Sequence, residues 1–477
     1  MGEEISAGNF DASSYAYFHS RLQAETALLK DWLAAGQLVD NRAVGGFEQE
    51  AWLVDKGFKA AQLNEKFIKA SSSDLVSAEL ARFNIELNVK PLALYGDALD
   101  GFQQDLQSVW DDCTRTAIAI KTRLIMIGIL PTLECEDLVI SNMSTLNRYR
   151  ALNEQIMTSR KGTPMQIDIK GHEHLQSKHY DVMLESAATS FQIHRQIPAD
   201  TAARYINAAV ITSALTVAAG ANSPYLFGKQ LWEETRIPLF EQAIEVGGLG
   251  GADQGPIRRV TFGSAYIKQN VIESFRENLD HYPVLLPVQL DDEQQTLPYL
   301  RLHNGTIWRW NRPLIGFDHD GKPHVRIEHR VISAGPTITD EIANAAFFYG
   351  LQEWLATLAD PVEDEIEHAQ AKSNFYEGAR LGLDAVIVWR NQKKIQIGKL
   401  ILDDLMEKSR MGLLRLKLNP DHIDYYLAII EARIRTRQTG AQWQKGFIQK
   451  HGPDMAAMLN AYYDNQQHGH PVHEWPL

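Results

Sequence analysis

The sequence predicts an α+β protein, with a mixed body over residues 1–350 and a helical C-terminal segment over 351–477. Three observations predict it. Runs with strand-like alternation recur as far as Ile332. Capped helical patterns lie between them. Past Gly335-Pro336-Thr337 the strand pattern stops and the chain reads as helix.

Each element has its own signal. Tyr15, Phe18, Leu22, Leu29 and Leu33 recur near helical spacing, with Thr26 as the polar gap, so the first forty residues are expected to be helical. Gly45-Gly46 leads into a strand over Phe47–Val54, which ends at the turn Asp55-Lys56-Gly57. A second strand covers Arg82–Val89 and stops before Pro91. A helix follows from Gly96 to Lys121, then an apolar buried strand over Leu124–Leu130. Between Ser186 and Pro198 the chain alternates. Phe191, Ile193 and Ile197 form one face, and Ser190, Gln192, His194 and Gln196 the other. Asp200 is placed as N-cap of an Ala-rich helix that Gly220 closes. Gly247, Gly248, Gly250, Gly251 and Gly255 read as a lid or plain loop. Two late strands cover Thr306–Trp310 and His324–Ile332. Asn419-Pro420 opens a helix that Gly440 is expected to end.

Composition narrows the function. Lys and Arg number 47 against 60 Asp and Glu, a net charge of −13. Such a chain is a poor counter-ion for nucleic acid or an anionic membrane, so neither is expected as a partner. Two cysteines, Cys113 and Cys135, cannot build a disulfide framework or a four-thiolate zinc site. The N-terminus is acidic and lacks an apolar signal core, so a cytoplasmic protein is expected. The longest uncharged run, Ile206–Gly228, contains Pro224 and reads as a buried helix plus a loop.

The carboxylates then need an explanation. Glu48 and Glu50 are two apart on a strand and share a face. That face is either solvated or holds a cation between them. Glu86, flanked by Ile85 and Leu87, needs a partner, and Glu79 lies nearby. Arg326, Glu328 and Arg330 share another face. This is either a self-satisfied ion ladder or a metal-binding Glu between phosphate-holding arginines. Gln192 and His194 add a third polar face. Several carboxylates with one imidazole suit Mg²⁺ or Mn²⁺ carrying a nucleotide. Arginines suit a transferred phosphoryl group.

Familiar nucleotide signatures do not account for the chain. Gly316–Lys322 fits GxxxxGK, but Pro323 replaces the metal-binding hydroxyl and Asp320-Gly321 reads as a hairpin turn. The Gly-rich loop lacks GxGxxG and a leading strand. Gly171-His172-Glu173-His174, with His179 and Asp181, lacks zinc-protease spacing and reads as a solvated or gating loop. His468, His470 and His473 lie in a Pro- and Gly-rich tail expected to fray. Lys408, Arg410, Arg415, Lys417, Arg433, Arg435 and Arg437 read as solvated helix faces.

Six segments together resemble the glutamate–cysteine ligase type 2 family, the carboxylate–amine ligases. They are Gly46-Phe47-Glu48-Gln49-Glu50; Glu79 with Glu86; Thr189-Ser190-Phe191-Gln192-Ile193-His194; Asn222-Ser223-Pro224 with Arg236; Arg309–Pro313; and Arg326–Arg330 with Gly335-Pro336-Thr337 and Asp340. The resemblance implies a glutamine synthetase-like fold: a curved antiparallel sheet forming a funnel, backed by helices. It implies ATP and two or three Mg²⁺ (or Mn²⁺), an acyl phosphate made on a carboxylate such as glutamate's γ-carboxylate, and an amine that displaces phosphate. Carried over by position, Glu48, Glu50, Glu79, Glu86, His194 and Glu328 resemble the metal ligands. Arg326 and Arg330 resemble the catalytic phosphate clamps, with Gln192 at the nucleotide, and Arg236 and Arg312 would hold substrate carboxylates. The partners implied are small-molecule amino acids and amines, with cysteine or another amine as acceptor. The oligomeric state is left open. A guanidino-kinase-like phosphotransferase and an inactive binding protein on the same fold are the alternatives.

Overall fold

The computed structural model describes residues 10–39, 43–246, 258–290 and 293–477. Its centre is the strand Val44–Val54, long enough to pair with four others. The antiparallel sheet runs in the order Asn311–Phe317, Pro323–Ser333, Ser190–Ile197, Val44–Val54, Asn84–Asn88, Val76–Ala78. Leu92–Ala93 and Arg123–Ile125 pair on either end of the central strand. The result is a curled half-barrel backed by helices.

Period-two alternation sorts the two faces. Phe47, Phe191 and Ile193 point to the back, where Phe47 lies 4.6 Å from Phe102 and 4.8 Å from Phe191 between ring centroids. The helices Ala98–Ala119, Ala202–Ala219 and Ile338–Ala356 cover that face. Ala202–Ala219 is apolar and long enough to cross a membrane, but 94% of it is buried inside the protein. That agrees with the expectation of a core helix.

The first helix, Ala12–Ala34, buries Phe18, Leu22 and Leu29 as the spacing predicts, and Thr26 fills its polar gap by donating to the Leu22 carbonyl at 2.7 Å. Other expectations need correcting. The strand over 124–130 shrinks to Arg123–Ile125, and the rest is buried irregular chain. Thr306–Trp310 contributes only Trp308–Arg309, paired in parallel with Val260–Thr261. The main strand there is Asn311–Phe317, hidden in the sequence by Pro313. It forms a hairpin with Pro323–Ser333, so the GxxxxGK match is a β-turn as expected. Thr201, not Asp200, occupies the N-cap position of the central helix, and its side chain makes no capping hydrogen bond. Gly440 does not end the helix Pro420–Thr436; it opens the next one, Gly440–His451. The Gly-rich stretch 247–255 lies outside the described residues.

The division at 350/351 falls inside the helix Ile338–Ala356. There Gly350 meets Gly412 so closely that a Cβ on Gly412 would lie 1.9 Å from the Gly350 carbonyl oxygen. The C-terminal segment is mostly helical, with one short hairpin of Val386–Val388 and Lys394–Gln396. It is packed into the body, since Arg433 pairs with buried Asp340 at 2.7 Å and Gln466 hydrogen-bonds both ways with the Met126 backbone. The tail does not fray. Trp475 is 4% exposed and packs on Trp443 and Tyr462.

Candidate active site

The front face of the sheet collects the polar side chains because adjacent strands keep the same parity. Glu48 lies opposite Gln192 on one side and Asn88 on the other. Glu50 lies opposite Glu86. Glu328 lies opposite His194 and Arg312.

Two carboxylate groups result. In the first, donor atoms of Glu48, His194 and Glu328 all lie within 4.8 Å of one another. His194 Nε2 stands 3.2 Å from Glu48 Oε1 and 3.8 Å from Glu328 Oε1. Both imidazole nitrogens and Glu48 Oε2 are buried without a hydrogen bond. Burial pushes the Glu48 carboxyl up, but His194 outweighs it and brings it down to about 2. Glu328 is likewise pushed up by burial, and Arg312, Arg330 and His194 hold it far below the usual range.

The second group is Glu50, Glu79, Glu86 and Glu185. Glu50 accepts from Gln192 Nε2 at 2.8 Å and from the Ser190 N–H at 2.7 Å. Glu86 accepts from Asn88 at 3.1 Å, while its Oε2 is buried with no partner. Glu79 meets the Tyr149 hydroxyl at 3.4 Å. Burial and then mutual repulsion raise all four: Glu50 and Glu79 to about 7, Glu185 to about 8, and Glu86 well above its ordinary value. Such a group cannot be fully ionised unless a cation joins it.

The arginines divide by partner. Arg330 donates to Glu328 Oε2 at 3.0 Å and to Gln192 Oε1. Arg236 donates to the Arg330 carbonyl at 3.0 Å and lies over the Trp310 ring. Arg326 lines a cavity of about 840 Å³ with Glu48, His194, Phe47, Val89 and Phe317, and its Nε is buried unpartnered. Arg312 corrects its expected role. Its Nε and Nη2 grip Glu328 at 2.8 and 2.9 Å, and Nη1 faces the backbone carbonyl of Gly305. Its donors are turned to the protein, where they fix Glu328 and leave none directed at the cavity beside Glu48.

Sequence reasoning missed Glu185, Glu234, and the pair Arg148-Tyr149. Glu185 had a signal, an acid closing the apolar run Val182-Met183-Leu184. The helix Asn147–Ser159 that brings Tyr149 to Glu79 had none, because that contact is set by tertiary packing.

The competing clusters stay apart from this face. Glu48, His194 and Glu328 are the one grouping among the described residues with ligand atoms close enough for a metal. His174 sits on an exposed hairpin, paired with Asp168 at 2.8 Å. On the C-terminal helices, Arg410, Arg435 and Arg437 pair with Asp424, Glu431 and Asp384 at the surface. Cys113 is buried, Cys135 exposed, and both are free.

A curled antiparallel sheet backed by helices, carrying two carboxylate groups, one imidazole and arginines on its front face, is a scaffold suited to divalent cations and phosphate. The chain belongs to glutamate-cysteine ligase family 2 (GCS2), whose model matches residues 44–469. It is a carboxylate–amine ligase of that family. The fold is similar to that of the glutamate–cysteine ligase of Francisella tularensis, solved in complex with AMP, with a TM-score of 0.57 at 11% identity over 90% of each chain. It is similar also to a bifunctional glutathione synthetase from Pasteurella multocida, with a TM-score of 0.53 at 10% identity. That match covers 95% of this chain and 55% of the Pasteurella protein, so this chain spans about half of it. Among curated protein sequences, none matches significantly.

Proposed function

We propose that the protein is an ATP- and Mg²⁺-dependent ligase. It activates a carboxylate, the γ-carboxylate of glutamate, as an acyl phosphate and joins it to an amine, cysteine or another. The observation that carries this reading is the convergence of Glu48, His194 and Glu328 within 4.8 Å, beside the opposed pair Glu50 and Glu86. Family membership supports the reaction class, and the AMP of the Francisella protein supports a nucleotide.

The residues fit divalent cations. Glu48 Oε2, Glu86 Oε2 and both His194 nitrogens are buried polar atoms with no hydrogen bond, and such atoms are costly without a ligand. Glu48, His194 and Glu328 would hold one ion, with Mn²⁺ as a substitute; Glu50, Glu79 and Glu86, whose ligand atoms are not drawn together in the same way, would have to close on a second. Ions bound there would supply positive charge to offset that of the ATP phosphates and of the substrate carboxylate.

The chain's own residues do the rest. The cavity beside Glu48 offers apolar walls for a nucleoside and Arg326 for its phosphates. Arg330, backed by Glu328, faces charge that develops on the transferred phosphoryl group. Arg236, with Nη2 on the Arg330 carbonyl and Nε facing Glu234, would hold the amino-acid end of the carboxylate substrate through Nη1. Glu185, raised to about 8 by burial, would in its ionised form be a base strong enough to take the proton that the attacking amine loses. A cytoplasmic location accords with ATP as co-substrate.

The test is incubation with ATP, Mg²⁺, glutamate and a pool of amines, followed by phosphate release and mass spectrometry. Amine-dependent ADP and phosphate with a new amide supports the reading. A stable phosphorylated guanidine or carboxylate without amide favours the phosphotransferase. Absence of both turnover and ATP binding leaves a binding protein.

A further inference from the structure

The strand Pro323–Ser333 does not run in even register against Ser190–Ile197. His329 lies opposite Ile193, yet Ile332 lies opposite Phe191. One extra residue is therefore accommodated at Arg330–Val331, opposite Gln192, as a β-bulge. The bulge changes the parity of the strand. Ser333 reaches the front face beside Ser190, where an even register would put Ile332.

Ser333 is pinned there by Glu234. Its hydroxyl donates to Glu234 Oε2, which also takes the Asn222 N–H at 3.0 Å. Glu234 Oε1 accepts from the Ser223 hydroxyl and stands 3.5 Å from Arg236 Nε. Glu234 is fully buried. One carboxylate thus ties the loop after the central helix, the start of the helix Arg236–Ala243 and the residue that closes the bulge. Arg236 passes the constraint on, since its Nη2 donates to the Arg330 carbonyl inside the bulge. Its backbone N–H also donates to Ser223 Oγ at 3.2 Å. Glu50 lies within electrostatic reach of both arginines. The neighbouring Glu233 points elsewhere, to Lys445 and Gln442 of the C-terminal helices.

We propose that Glu234 is a positioning residue of the ligase site, fixing Arg236 and the Arg330 bulge at the height where they meet the amino-acid substrate. This rests on the reading of Arg236 given above. Glutamine at 234 keeps one acceptor oxygen, which can still take Ser333 and the Asn222 N–H, and turns its NH2 toward the Ser223 hydroxyl, which can accept from it. It cannot supply the charge that faces Arg236, so Glu234→Gln separates positioning from scaffolding.

The experiment compares the natural protein with Glu234→Gln and Glu234→Asp. It measures glutamate binding by calorimetry with Mg²⁺ and a non-hydrolysable ATP analogue, nucleotide affinity, thermal melting, and a crystal structure of Glu234→Gln. Positioning predicts glutamate affinity weaker by roughly tenfold in Glu234→Gln. Nucleotide affinity should stay within about twofold, melting should be little changed, and Glu234→Asp should recover part of the loss. Unchanged glutamate affinity overturns the proposal, and so does a parallel fall of both affinities with melting. If the natural protein binds no glutamate, glutamate fails as the substrate, and the crystal structure still decides this point. Arg236 leaving the Arg330 carbonyl supports the proposal, and Arg236 staying on it overturns it.

Discussion

Arg312 grips Glu328 with a two-pronged pair across adjacent strands, Nε at 2.8 Å and Nη2 at 2.9 Å, and both side chains are 2% exposed. A planar fork fixes the rotation of the carboxylate as well as its position, which a lysine cannot do. Arg312→Lys should therefore fold but let Glu328 turn away from His194, with Mg²⁺ affinity down by an order of magnitude, about tenfold, in calorimetry. Arg312→Ala strands a buried charge and should lose about 3–5 kcal/mol in urea unfolding. Unaltered Mg²⁺ affinity in Arg312→Lys would remove Arg312 from the metal-holding assembly.

Glu48 has the shortest approach to His194, 3.2 Å, and is also the partner that the cation would share. Glu48→Gln keeps the shape and removes the charge. Turnover should fall by about a thousandfold or more, as for loss of a charged group from a preorganised site. Stability should change by only about 1 kcal/mol, because a neutral amide still fits beside an imidazole. Steady-state ADP release and urea denaturation check the two halves. Activity that survives the change would move the metal assignment away from Glu48.

The raised carboxyls set a pH dependence with a definite sign. Glu185 rises to about 8, and Glu50 and Glu79 to about 7, from an ordinary 4.5. Between those values the folded state holds protons that the unfolded chain has released. Its stability is complete below about pH 4.5 as far as these groups go, and is lost as pH rises through about 7 to 8. In chelator, the melting temperature should fall from about pH 5 to about pH 8. Millimolar Mg²⁺ should flatten that slope, and Glu185→Gln should make it shallower in chelator. A slope that is flat in chelator, or one that Mg²⁺ steepens, would contradict the second carboxylate group.

How far the sequence could be read depended on whether a feature was local. Period two put Glu48 with Glu50, and Arg326 with Glu328 and Arg330, on shared faces before any pairing was known. The turn at Asp318–Lys322 was legible from Asp320-Gly321. The strand Asn311–Phe317 was not, because Pro313 reads as a breaker and its edge position tolerates one. The bulge at Arg330–Val331 was invisible too, since it depends on register against another strand. The substrate role of Arg312 is what the family resemblance implies, and the resemblance carries no register. Only the pairing Arg312 to Glu328 shows that its fork is already filled. The tail was misread because Gly469 and Pro471 suggest looseness, while its anchor, Trp475, acts through distant partners.

That tail offers the last prediction. Trp475 lies edge-on to Trp443 at 5.3 Å and to Tyr462 at 5.0 Å, and its indole N–H donates to the His470 carbonyl. The Tyr462 hydroxyl reaches the Met126 carbonyl and receives Asn222 Nδ2, at 2.9 and 2.8 Å. Asn222 in turn gives its N–H to Glu234, beside Arg236. Trp475→Ala removes a large buried ring and should cost about 3–5 kcal/mol. Chemical denaturation measures that loss. Because the cavity opens against Tyr462, the loss should carry through Asn222 to the arginine end of the site and leave the nucleotide cavity near Glu48 intact. Glutamate affinity should therefore drop more than ATP affinity at a temperature where the variant is still folded. An equal drop in both would mean that the tail supports the fold alone, with no path to Arg236.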